Sequence, residues 1–571
     1  MENKMKRKPM PVGISDFRKL ITGGYYFVDK SDFIREIIET GAEVILLPRP
    51  RRFGKTLNMD MLRVFFEKDR PDTKPLFQGL SVEKEECFAL HHGKYPVISL
   101  TLKDVKQPDW ASCLENMKTV VGQEYSRHRC LMDGDLLFPE EKVRFEKILN
   151  GSAHVTDYES SLKFLSEFLH RHHSQPPVIL IDEYDTPLHA GYNKGYYEEV
   201  VGFMRNFLSG GLKDNPHLFK GVLTGILRVA KESIFSGLNN PGVYTILTGK
   251  FSESFGFTET EVRQMLGDYG MESLYDRVSF WYDGYVFGKT VIYNPWSVIC
   301  FLDSGGDEKP YWINTGDTSL IDRLVTGGGK EIRDEIGRLL EGQTVERPIY
   351  ESIVMRDLDV RDDLLWSFLL FSGYLKTAGD PVYRNVRPLA VPNEEVKQAY
   401  EEMVIRWFSE KIESNCLLDM IRGLETGDAV LFERVLRKVV MQIMSFHDLD
   451  HKAEKVYHAL VLGMLVWMSG KYDIRSNRES GYGRFDIMLK PKDTKKTGIV
   501  IEFKMVDGTE EDAYKEVLEE AMKQITDRKY ATELTAAGVT DILEIAVAFR
   551  GKELWVKHRK LSATQGGAGA E

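Results

Sequence analysis

Cysteine is scarce in this chain of 571 residues: there are five, Cys87, Cys113, Cys130, Cys300 and Cys416, and no two lie closer than 17 positions. An odd number at that spacing excludes a disulfide framework and a CxxC zinc site, so the thiols are expected to be reduced and mostly packed. Long hydrophobic runs are also missing. The longest, Tyr457 to Met468, spans twelve residues and contains His458, short of the roughly eighteen that suggest a bilayer span. The start, MENKMKRKPM, is basic, but PVGISDFRKL follows it in place of the apolar stretch of a secretory signal. The chain is therefore read as cytoplasmic, with no membrane partner. Positive charge is in deficit overall, at a formal net charge of −11, which excludes a uniformly basic nucleic-acid coat. Residues 451–571 hold 20 Lys and Arg against 19 Asp and Glu, so the acidic excess lies in the first 450 residues. Any nucleic-acid contact is expected toward the C-terminus, where less self-repulsion opposes a polyanion. No period of 20–50 residues repeats, which removes solenoids and propellers.

What is present suits a multidomain globular protein. Hydrophobic residues make up 42% and charged residues 29%, ordinary values for a soluble core, and the length allows about three to five compact units. Short β-like runs alternate with helical stretches: EVILL (43–47), YPVISLTL (95–102), PVILI (177–181), LFKGVLTGI (218–226) and VYTIL (243–247). Such alternation predicts βαβ units and a doubly wound parallel sheet over residues 1–260. Residues 261–330 read as a helical lid and 331–445 as a winged-helix-like and helical connector. A second α/β unit occupies 446–560, with an apolar helix, RFDIMLK, GIVIEFKM, a charged helix and ILEIAVAF in order; 561–571 is read as a flexible tail.

Two constellations carry chemistry. The loop Arg49-Pro50-Arg51-Arg52-Phe53-Gly54-Lys55-Thr56 follows a strand and opens a helix, and it fits GxxxxGK[ST] except that Arg49 stands where the first Gly belongs. Gly54 allows the backbone to approach an anion, Lys55 reaches β- and γ-phosphates, and Thr56 is suited to Mg²⁺, all at a helix N-terminus. Arg49, Arg52, Phe53, Gly54, Lys55 and Thr56 are the expected cradle. A basic turn is the alternative reading of GKT alone. The strand Val178–Ile181 ends in Asp182 and Glu183, 126 residues after Thr56, a Walker-B pattern in which Asp182 joins the Mg²⁺ shell and Glu183 polarises the attacking water. Asp185 and Pro187 are read as the start of the next helix. Thr224, at the end of another strand, is either a γ-phosphate sensor or an ordinary strand-end threonine. Arg228 is a candidate to stabilise the transferring phosphate, and the sequence leaves open whether it acts in cis, in trans or not at all.

These stretches, PVGISDFRKLITGGYYFVDKSDFI, RPRRFGKTLNMDML, ILIDEYDTPL, TGILRVAKESIFSGLNN and WYDGY, resemble the bacterial AAA-ATPase-like family of P-loop ATPases, over roughly the first half of the chain. The resemblance implies ATP binding and hydrolysis, with RPRRFGKT replacing the standard glycine, and it sets the segment Phe27 to Lys30 near the nucleotide. A homo-oligomer completing sites across subunits is compatible with the class.

In Ile499 to Lys504, a period of two puts Glu502 and Lys504 on one strand face while Phe503 points to the other. Asp486 precedes them on the strand RFDIML, and the polar segment between turns the chain back. Asp486 and Glu502 then suit Mg²⁺, with Lys504 orienting a water toward phosphorus. For a lone ExK, a structural ion pair on a half-exposed strand is the better reading. With the flanking helices, the set resembles the PD-(D/E)xK nuclease superfamily over about 450–555, although Asp486 follows Phe485 where the family pattern has Pro. By that resemblance Glu454 completes the metal site and Gln524 supports it; a solvated helix acid and a surface glutamine are the alternatives. The His pairs at 91–92 and the tract 170–173 are read as solvated surface, and WYDGYVF as core. The expected function is an ATPase that controls Mg²⁺-dependent phosphodiester cleavage, with DNA favoured over RNA, in defence against phage or mobile elements by family context. The rival is an ATP-dependent switch whose C-terminal fold binds nucleic acid or protein without cutting.

Overall fold

The computed structural model describes residues 7–68, 72–133, 135–228, 241–313, 330–340, 342–409, 414–443, 461, 464–465, 468, 470–476, 479–480, 483–484, 486–506, 512–528, 530–551 and 553–562. The chain divides into two compact units, Met1–Val325 with Thr344–Lys397, and Thr326–Gln343 with Gln398–Glu571.

In the first unit, β1 (Val44–Pro48), β2 (Val97–Thr101), β3 (Val178–Asp182), β4 (Lys220–Gly225) and β5 (Gly242–Val243) form a parallel sheet in the order β2-β3-β4-β1-β5. Every residue of β1, β3 and β4 is buried, which explains why these strands read as continuous apolar runs and not as alternating ones. Because β4 lies between β1 and β3, its end is set between the phosphate-type loop and the two acids. β5 stops short of the expected 243–247: it pairs only with Ile45 and Leu46, and the Thr245 hydroxyl then accepts the Leu247 N–H at 3.2 Å and turns the chain away.

The hairpin β6 (Tyr285–Phe287) and β7 (Thr290–Ile292) adjoins helices Glu259–Tyr269, Tyr275–Tyr282 and Pro295–Asp303, which share an apolar cluster containing Val262, Leu266, Tyr282, Val298 and Phe301. The WYDGYVF segment is core as expected, with Tyr282, Tyr285 and Phe287 buried. Further on, β8 (Val345–Pro348), β9 (Lys376–Thr377) and β10 (Val386–Ala390) make an antiparallel sheet in the order β8-β10-β9 beside the helix Asp363–Ser372, which is buried from Leu364 onward.

In the second unit, β11 (Tyr472–Ser476), β14 (Ile487–Pro491), β15 (Gly498–Met505), β16 (Asp541–Arg550) and β17 (Glu553–Ser562) lie in that order; β12 (Glu479–Ser480) and β13 (Gly483–Arg484) form a separate short ladder. β15 and β16 are parallel, the remaining pairs antiparallel. Alternation along β15 sends Ile499, Ile501 and Phe503 into one core with Val461, Met464, Leu465 and Met468. Val500 joins a second core under helix Ala513–Asp527, so Glu502 and Lys504 share that helix's side of the sheet.

All five cysteines are free; Cys113 and Cys416 are buried, Cys87 and Cys300 half-buried and Cys130 exposed. His91 and His92 are not a solvated pair: His92 stacks on Phe88 and meets the Thr73 hydroxyl, and His91 meets the Tyr95 hydroxyl. In the 170–173 tract, likewise half-buried, His170 faces His217 at 3.0 Å.

Candidate nucleotide and nuclease sites

The loop after β1 turns through two residues in the left-handed region, Arg52 (φ 67°) and Gly54 (φ 85°). At Gly54 a side chain would meet no atom within 4 Å, so glycine here answers to backbone conformation and leaves open space beside the N-terminus of helix Lys55–Phe66. Lys55 is buried, and its ammonium donates to the carbonyls of Arg49 (3.1 Å) and Pro50 (3.2 Å) while pairing with Glu183 at 3.1 Å. Thr56 Oγ1 donates to Asp182 Oδ2 at 2.7 Å, and Thr224 Oγ1 donates to Asp182 Oδ1 at 2.7 Å. Both carboxylate oxygens of buried Asp182 are thus fixed by hydroxyls from neighbouring elements. Glu183 sits at φ 54°; burial raises its pKa, Lys55 opposes that, and the carboxylates of Asp185 and Asp182 push it further up.

A cavity of about 1280 Å³ opens onto this set and is lined by Arg52, Phe53, Gly54, Lys55, Thr56 and Glu183, with Phe27, Val28 and Lys30 in its wall. Lys30 is held there by Glu261 at 2.7 Å and by the Glu253 carbonyl.

Arg49 does not face the cavity. Its guanidinium is wholly buried behind the loop, donating to the carbonyls of Pro48 (2.8 Å), Tyr244 (2.7 Å) and Phe251 (3.0 Å) and lying over the rings of Phe255 and Phe287. Desolvation lowers its pKa to about 9. The arginine in the glycine position therefore braces the loop from beneath. Arg228 is half-buried, is absent from the cavity wall, and uses its carbonyl to accept the Ile353 N–H.

Asp185 also differs from expectation. It precedes helix Thr186–Lys194, with Pro187 in the first turn, but its carboxylate makes no cap. Oδ2 instead accepts the N–H groups of Ile226 (2.8 Å) and Leu227 (2.9 Å) and faces His189 Nε2 at 3.2 Å. Burial opposes ionisation, but His189 and these N–H groups outweigh it and hold Asp185 below the usual carboxylate range. The end of β3 is thereby tied to the end of β4.

In the second unit, the antiparallel register pairs Ile487 with Ile501, so Asp486 and Glu502 fall beside each other at the edge of the ladder. Asp486 Oδ2 accepts the Phe503 N–H at 2.7 Å. Glu502 is buried, and its Oε1 accepts from Gln524 Nε2 and lies 3.6 Å from Lys504 Nζ. Burial and the nearby Asp486 raise the Glu502 pKa to about 8 against the opposing effect of Lys504. Gln524 also donates to the hydroxyl of buried Tyr530 at 3.1 Å. Gln524 is therefore no surface residue, and Tyr530 is a member of the set that spacing alone did not single out. Glu454 lies outside the described residues.

Both sites fit divalent cations by donor chemistry. Thr56 and Asp182 offer hard oxygens in contact, and Asp486 with Glu502 offers two carboxylates; Glu502 Oε2 is buried with no hydrogen-bond partner among the described residues. No group of three or more His, Cys, Asp and Glu gathers among the described residues, so the second site rests there on two acids.

Comparison with known proteins agrees with this division. Residues 11–235 match the AAA-ATPase-like family, described as a predicted AAA-ATPase, and residues 452–559 match the PD-(D/E)XK nuclease superfamily. The chain carries an AAA-ATPase-like domain followed by a nuclease-superfamily domain. It is similar, at 25% identity over 555 residues, to an uncharacterized protein in the vnfD 5′ region of Azotobacter chroococcum mcd 1; the match covers 94% of this chain and 95% of that protein.

Proposed function

We propose that the first unit binds and hydrolyses ATP and that the second cleaves phosphodiester bonds of DNA with Mg²⁺, under control of the ATPase. The observation that carries this reading is the convergence of Lys55, Thr56 and Glu183 on one cavity wall, with buried Asp182 hydrogen-bonded to Thr56 behind it. Gly54 and the helix N-terminus supply backbone N–H groups to phosphate oxygens, and Lys55 adds a point charge beside them. Thr56 and Asp182 are the residues to hold Mg²⁺, which when bound neutralises charge on the transferring phosphate. Thr224 locks the Asp182 carboxylate, and Glu183 accepts a proton from the attacking water and orients it.

At the second site Asp486 and Glu502, with Glu454, are the residues to hold Mg²⁺; there the ion stabilises charge at the scissile phosphate. Gln524 and Tyr530 fix the Glu502 carboxylate, and Lys504 orients the water. A place in defence against phage or mobile DNA is supported by the pairing of these domains alone. No helix among the described residues is long and apolar enough to cross a membrane.

Incubation of supercoiled plasmid, linear DNA and single-stranded RNA with Mg²⁺ or Mn²⁺, with and without ATP, tests the proposal. Wild type is expected to cut DNA, Lys504→Ala to abolish cutting, and Lys55→Ala to abolish its dependence on ATP. Cutting of RNA alone would replace the substrate. Intact ATP hydrolysis with no cutting under any condition would favour the switch that binds without cleavage.

A further inference from the structure

The phosphate-type loop carries arginine at 49, where the pattern has glycine, and again at 51 and 52, and Arg52 holds a left-handed conformation that a residue with a side chain adopts only when its surroundings impose it. Two tryptophans of the same unit supply those surroundings. The indole N–H of Trp312 donates to the Arg51 carbonyl at 3.1 Å, and the Arg52 guanidinium lies over the Trp296 ring at 4.4 Å. Both rings are in the cavity wall. The segment that presents Trp312 is in turn tied at successive residues: Trp296 Nε1 donates to the Tyr311 carbonyl at 3.2 Å, and the Trp312 N–H donates to Glu395 Oε1 at 2.6 Å. Glu395 is fully buried, at 0% exposure, and its second oxygen accepts from Ser297 Oγ at 2.8 Å. A buried carboxylate with these partners costs desolvation, and nothing in the proposed chemistry consumes it.

We propose that Trp312, oriented by Glu395, is a positioning residue for the nucleotide site, setting the backbone of the loop through the Arg51 carbonyl. This inference rests on the ATP-binding reading above. A glycine-rich loop takes its phosphate-accepting shape from its own backbone freedom; this arginine-rich one takes it from an indole clamp, with Arg49 bracing the same loop from beneath. The carboxylate of Glu395 acts by accepting, so Gln, whose amide oxygen also accepts, substitutes for it, and Ala does not.

The test uses the full chain and four forms: wild type, Trp312→Phe, Glu395→Gln and Glu395→Ala. Nucleotide affinity is measured with a fluorescent ADP analogue, KM and kcat with ATP, and folding by thermal melting followed by circular dichroism. Trp312→Phe keeps an aromatic ring against Tyr374 and loses the N–H together with the five-membered ring that carries it. It is expected to weaken nucleotide affinity and raise KM by about tenfold or more, with kcat within about threefold and a melting temperature lowered by the lost packing but well above the assay temperature. Glu395→Gln is expected to bind like wild type, and Glu395→Ala like Trp312→Phe. A purely structural role would lower the melting temperature of these variants without moving affinity measured well below it. Unchanged affinity in Trp312→Phe overturns the inference while leaving the ATPase reading intact. If wild type itself binds no nucleotide, both fall. Should Glu395→Ala fail to fold, Trp312→Phe and Glu395→Gln still decide.

Discussion

Glu183 and Lys55 form an ion pair 3.1 Å apart beside the cavity, and their substitution separates binding from hydrolysis. On the proposed function Glu183→Gln would remove the base but keep the shape, so ATP hydrolysis is expected to fall by about 100-fold or more with nucleotide affinity within about threefold, checked by phosphate release and direct binding. Equal losses in both would assign Glu183 to binding. Glu395 offers a pH signature at the same scale. Burial, against the Trp312 and Ser297 hydrogen bonds, raises its pKa from 4.5 to about 7. The groups facing it are Ser297, the N–H groups of Tyr311 and Trp312, and the neutral side chains of Tyr282, Tyr285 and Cys300. The folded state keeps a proton that the unfolded chain releases near pH 4.5, so the stability from this group is full below that pH and is lost as pH rises through about 7. The difference is on the order of 3 kcal/mol. Melting of the ATPase-like unit from about pH 5 to about pH 8 should show this decline, and Glu395→Gln should flatten it; an unchanged slope would place its origin in another group.

Elements meet closely where β3 and β4 end. A Cβ at Gly225 would lie 2.5 Å from Asp185 Oδ1 and 2.9 Å from Tyr184 Cδ1, and Asp185 cannot yield because two backbone N–H groups and His189 hold it. Gly225→Ala is expected to destabilise the unit by on the order of 2 kcal/mol, seen as a lower melting temperature with weakened ATP hydrolysis. A neutral outcome would show that the two strand ends can part. β15 shows the opposite case. Its limits, 498–505, coincide with the GIVIEFKM run because its two faces carry different side chains and a one-residue slip would bury Lys504 and expose Phe503. The end of β5 was not readable in VYTIL, because a threonine hydroxyl, and not an apolar pattern, ends the pairing.

At the scale of the whole molecule, the candidate nucleotide site and the candidate nuclease site belong to different compact units. Lys504→Ala is therefore expected to abolish DNA cleavage while ATP hydrolysis and the melting of the ATPase-like unit stay at wild-type values. Loss of ATP hydrolysis in the same variant would mean that the second unit feeds back on the first. The residues matched to one family, 11–235, and to another, 452–559, fall in the first and the second unit respectively.

The cradle Gly54-Lys55-Thr56, the acids Asp182 and Glu183 and the pair Glu502 and Lys504 were determined by the sequence alone, because each is a short run along one strand or turn; Asp486, at the edge of the preceding strand, was legible because the polar segment between turns the chain back. Arg49 as a buried brace, Asp185 as a tie between strands, Tyr530 behind Gln524, and the Trp312–Glu395 clamp were decided only by the tertiary structure. Tyr530 lies six positions from Gln524, past the end of its helix; the partners of the others include residues tens to hundreds of positions away, and a hydrogen bond between such residues leaves no periodicity or spacing in the chain, since it exists only once the hydrophobic core has brought the elements together.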